Sequence, residues 1–89
     1  MKIRIIESPS LPEGHAQIQK TTFERINKVW GGFTIPTSIN HVLVGEDPFR
    51  PAFILNLTND QQDDNALYVS PDVKRRFYSD KLNLEIEHA

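Results

Sequence analysis

The apolar residues of this chain fall in short, β-branched runs broken by proline, glycine and polar clusters, and this constrains the fold more than any other feature. Ile3, Ile5 and Ile6, then Phe33-Thr34-Ile35, His41 to Val44, Ala52 to Leu57 and Leu67-Tyr68-Val69 each read as a strand. Ser8-Pro9-Ser10 ends the first, Pro36 halts the second, and Gly45 to Pro51 forms a turn region containing Pro48. Leu82, Leu84 and Ile86 alternate with Asn83, Glu85 and Glu87, the pattern of a half-buried strand at a sheet edge.

One stretch, Leu11 to Trp30, supports two readings. As a single helix, Leu11, His15, Ile18, Thr22, Ile26 and Val29 share a stripe, and Ser10 with Glu13 forms a capping box around Pro12. Gly14 and the pair Thr21-Thr22 weaken that helix. In the other reading, Ala16 and Ile18 alternate with Gln17 and Gln19 in a short strand over 15–20, and a helix begins at Thr21 with Glu24 as its box partner. Both readings make 22–30 helical, with Gly31-Gly32 as the stop. A second, short helix is predicted from Ser70-Pro71-Asp72, read as N-cap, N1 and N2, through about Tyr78.

The expected fold is therefore α+β. A mostly antiparallel sheet of four to six strands is packed by one principal helix ending near Trp30 and by one short helix near 71–78. Residues 52–69 are expected to form a hairpin with a long polar connection over 58–65. A small β-barrel with one helix is the alternative architecture. A chain of 89 residues is expected to make a single domain over 1–89.

Composition excludes several chemistries. With no cysteine there is no disulfide, thiolate nucleophile or cysteine-ligated zinc, and a reducing, cytoplasmic compartment is expected. The start of the chain lacks the apolar core of a secretory signal, and no apolar run approaches membrane-spanning length, so no membrane partner is expected. The formal net charge is -2. Residues 1–45 hold five basic and three acidic side chains (+2), and 46–89 hold five and nine (-4). A dedicated nucleic-acid binder would show a basic excess, because phosphate neutralisation supplies most of its affinity.

Spacing tests eliminate more. His15, His41 and His88 are scattered and match no zinc signature, so no metal is assigned. Asp60, Gln62 and Asp64 occupy alternate positions of a calcium loop, but Asn65 stands where glycine is required and Pro71 where an acid is required. Gly31-Gly32 follows a helix instead of opening one, the wrong end for an anion, and no cofactor is implied. Serines 8, 10, 38, 70 and 79 act as breakers or caps, and the adjacent pair Glu46-Asp47 does not converge on a substrate. Asn56-Leu57-Thr58 matches a glycosylation sequon at the end of a predicted strand, where coincidence is the simpler account.

Two clusters remain as candidate sites. Phe49, braced between Pro48 and Pro51 and followed by Arg50, is the type of aromatic–arginine group that anchors protein interfaces. Lys74, Arg75 and Arg76 beside Tyr78 could grip phosphates and stack on a base. In the simpler reading of that segment, Val73 and Phe77 face a core and the cations are solvated at the helix end. By exclusion, the leading expectation is a non-enzymatic protein-interaction or regulatory module. Its partner is another protein or a second copy joined through a strand edge such as 82–87. A nucleic-acid-binding protein is the alternative, and a small enzyme with an assembled site, for which no catalytic residue can be nominated, is third.

Overall fold

The computed structural model describes residues 2–27, 33–47, 49–61 and 63–85, and in it the ambiguous N-terminal stretch takes the strand-then-helix form. The first strand, β1 (Lys2–Glu7), leads through a loop into β2 (His15–Gln19) and directly into α1 (Lys20–Ile26). A single long helix fails for a local reason. Gly14 has φ of 79°, a left-handed conformation that no helix contains and that glycine adopts without strain. Its N–H donates to both carboxylate oxygens of Asp72, at 3.0 and 3.2 Å, and its carbonyl accepts from Ile54. The capping box expected around Ser10 and Glu13 is thus replaced by a loop. Trp30 and the Gly31-Gly32 stop lie outside the described residues.

The chain continues as β3 (Phe33–Ser38), β4 (His41–Gly45), β5 (Pro51–Thr58), β6 (Ala66–Val69), α2 (Pro71–Phe77) and β7 (Asn83–Glu85). Pro36 does not halt β3, which runs through it with Pro36 opposite Val42. Proline is tolerated there because β3 is an edge strand whose outer side needs no ladder bond.

Among the described residues, seven strands form one mixed sheet in the order β3-β4-β5-β2-β6-β1-β7. That exceeds the four to six expected. Because β3 and β7 each have a single neighbour, the sheet is open and the barrel alternative is overturned. Four pairings are antiparallel, as expected, but β1 runs parallel to β6 and β2 parallel to β5. The hairpin expected over 52–69 is also overturned, since β2 lies between β5 and β6. The polar connection is long enough to step across one strand. Thr22 Oγ1 donates to the Asp64 carbonyl at 2.7 Å, tying that connection to α1.

One face of the sheet carries the core. Ile3 and Ile5, Ala16 and Ile18, Val42 and Val44, Phe53 and Leu55, and Leu67 and Val69 are buried with Phe23 and Ile26 of α1 and Val73 of α2. At the end of α2, Phe77 and Tyr78 pack on Phe53, with ring centroids 5.9 and 6.2 Å away. Both helices therefore cover the same face. Ser70 caps α2 through its carbonyl, which accepts from Lys74 N–H at 2.9 Å, while its hydroxyl donates to Asp72 Oδ1 at 2.6 Å.

Candidate functional site

Strand alternation sends the remaining side chains to the opposite face, and neither described helix lies there. The register lines these residues up in rows. Ile6 stands opposite Tyr68, Tyr68 opposite Gln17, Gln17 opposite Asn56 and Asn56 opposite His41, one row across five strands. Beside it runs a second row of His15, Ile54, Leu43 and Ile35. All of these are half-buried except His41, which is exposed.

Hydrogen bonds stiffen the polar members. The Asn56 amide donates to the Ala16 carbonyl at 2.9 Å and contacts His15 Nδ1 at 3.1 Å. Gln17 Nε2 reaches Gln61 Oε1 at 3.5 Å, and Gln61 in turn donates to the carbonyls of Asp63 and Ala66. The polar connection thereby borders one end of the face. Its charges are matched locally: Arg4 pairs with Asp63, and Lys2 with Glu85 at 3.8 Å.

No group of three or more metal-ligating side chains occurs among the described residues. A hydroxyl–imidazole contact does occur, Ser38 Oγ to His41 Nδ1 at 2.7 Å. It sits at the exposed β3–β4 turn, where Thr37 Oγ1 donates to the His41 carbonyl and Asn40 N–H to Ser38 Oγ. These bonds brace a tight turn.

The two clusters selected from sequence lie elsewhere. Phe49 is 91% exposed in the turn between β4 and β5. Its N–H donates to Asp47 Oδ1 at 2.8 Å, and Arg50 N–H donates to the Asp47 carbonyl at 3.1 Å, so the turn holds the ring outward. The Arg50 side chain is solvated and 3.9 Å from Asp47.

The basic cluster is divided. Lys74 Nζ donates to the carbonyls of Tyr78 and Ser79, at 2.6 and 3.3 Å, and so closes the end of α2. Tyr78 packs on Phe53, and burial pushes its phenol up to about 12. Arg75 and Arg76 stay exposed, with the Arg76 guanidinium 5.4 Å from the Phe77 ring centroid. Of the basic residues that could have enlarged this patch (Lys2, Arg4, Lys20, Arg25 and Lys28), Lys2 and Arg4 flank core-facing Ile3 and point to the face away from α2, and Lys28 lies outside the described residues.

Sequence reasoning missed the face that neither described helix covers because the Ala52 to Leu57 run reads simply as a buried central strand. A count would have found it. Leu43, Ile54 and Ile35 alternate with core residues, so the sheet is apolar on both faces, yet the predicted helices suffice to cover only one. Comparison of the chain with protein-family models, with curated proteins and with solved structures finds no match.

Proposed function

We propose that this protein is a non-enzymatic protein-interaction module whose working surface is the sheet face turned away from α1 and α2. One observation carries the reading: a continuous, largely uncharged patch combining Ile6, Ile35, Leu43 and Ile54 with Tyr68, Gln17 and Asn56. An apolar centre containing an aromatic hydroxyl and fixed amides, with charges confined to the rim, is the anatomy of a protein interface. Phe49 and Arg50 supply a separate exposed anchor at one turn of the sheet.

Of the Lys74–Tyr78 cluster, the nucleic-acid alternative retains Arg75 and Arg76, because Lys74 is engaged at the helix end and Tyr78 is packed against Phe53. Two cations from that cluster provide only a shallow salt dependence.

The test compares affinity capture by wild type, Ile54→Lys and the double variant Phe49→Ala, Arg50→Ala. Ile54→Lys is expected to lose bound protein while keeping the wild-type circular dichroism spectrum. The double variant is expected to match wild type in stability to within about 0.5 kcal/mol, since both side chains are solvated. Identical recovery by all three proteins refutes the reading, and salt-sensitive capture of an oligonucleotide in its place favours the alternative.

A further inference from the structure

We draw no further inference here: the strongest candidate, the sheet face turned away from α1 and α2, carries nothing beyond the reading above, because nothing in the structure shows what covers it.

Discussion

Gly45→Ala tests the turn that carries Phe49. A Cβ on Gly45 would lie 2.4 Å from the Arg50 carbonyl oxygen, 3.1 Å from the Pro51 Cα and 3.2 Å from the Arg50 carbonyl carbon. An unstrained carbon–oxygen approach is about 3.3 Å, so the two backbones must separate by most of an ångström. Neither can yield cheaply. Pro51 opens β5 opposite Gly45 at a register shift, and the Asp47 side chain and carbonyl hold the amides of Phe49 and Arg50. Crowding of this kind costs about 1–3 kcal/mol. At about 4–8 °C per kcal/mol for a domain of this size, the melting midpoint should fall by roughly 4–24 °C.

The assay is urea and thermal unfolding followed by circular dichroism, with the urea midpoint falling at constant slope. Gly14 is the control. No atom lies within 4 Å of its would-be Cβ, so its constraint is the positive φ alone. At Gly14, asparagine should be better tolerated than alanine, because asparagine enters left-handed conformations more readily. At Gly45, where contact is the obstacle, asparagine should be no better than alanine. A Gly45→Ala protein within about 0.5 kcal/mol of wild type would refute the close approach as a constraint.

Two further outcomes concern titration. The Asp72 carboxyl is held below its ordinary 3.8, chiefly by the Ser70 hydroxyl and also by the Gly14, Asp72 and Val73 amides. A lowered carboxylate contributes stability that is complete above about pH 4 and disappears as pH falls through the folded value. Asp72→Asn should therefore be less stable than wild type at neutral pH, and the gap should close below pH 3.8 in acid-unfolding curves. The Tyr78 phenol, raised by burial from 10.0 to about 12, stays neutral in the folded state while it ionises in the unfolded chain. The Tyr78 contribution should be constant up to pH 10.0 and decline between there and about 12, and Tyr78→Phe should remove that part of the alkaline decline. An ultraviolet titration in which Tyr78 ionises near pH 10.0 would contradict the burial.

Local chemistry in the sequence foretold most elements and little of their arrangement. Ser70-Pro71-Asp72 marks the start of α2 because proline presets the first helical turn and Asp72 suits its N-terminus. His41 to Val44 and Ala52 to Leu57 coincide closely with β4 and β5. The parallel pairings and the insertion of β2 between β5 and β6 leave no local trace, since residues far apart in sequence settle them. Alternation also misjudged Leu82, expected to point inward but 75% exposed, although its carbonyl accepts from Ile5 N–H. Leu84 does pack against the core, and residues 86 and 87 of the expected edge strand lie outside the described residues. At the candidate site, Phe49 and Arg50 were readable because prolines announce a rigid turn. Tyr68, Gln17 and Asn56 were not, since their row exists only once five strands are in register.

The position of β2 also dictates when the molecule can become ordered. β1 and β2 precede their partners in the chain and are not neighbours in the sheet: their ladders are completed by β5, β6 and β7. Among the described strands, β2 has no ladder partner until β5 exists and β1 has none until β6, whereas the β3–β4–β5 meander is built from consecutive segments. Long loops must close before the centre of the sheet is rewarded, so maturation should be slow and all-or-none, gated by the arrival of Ala66–Val69.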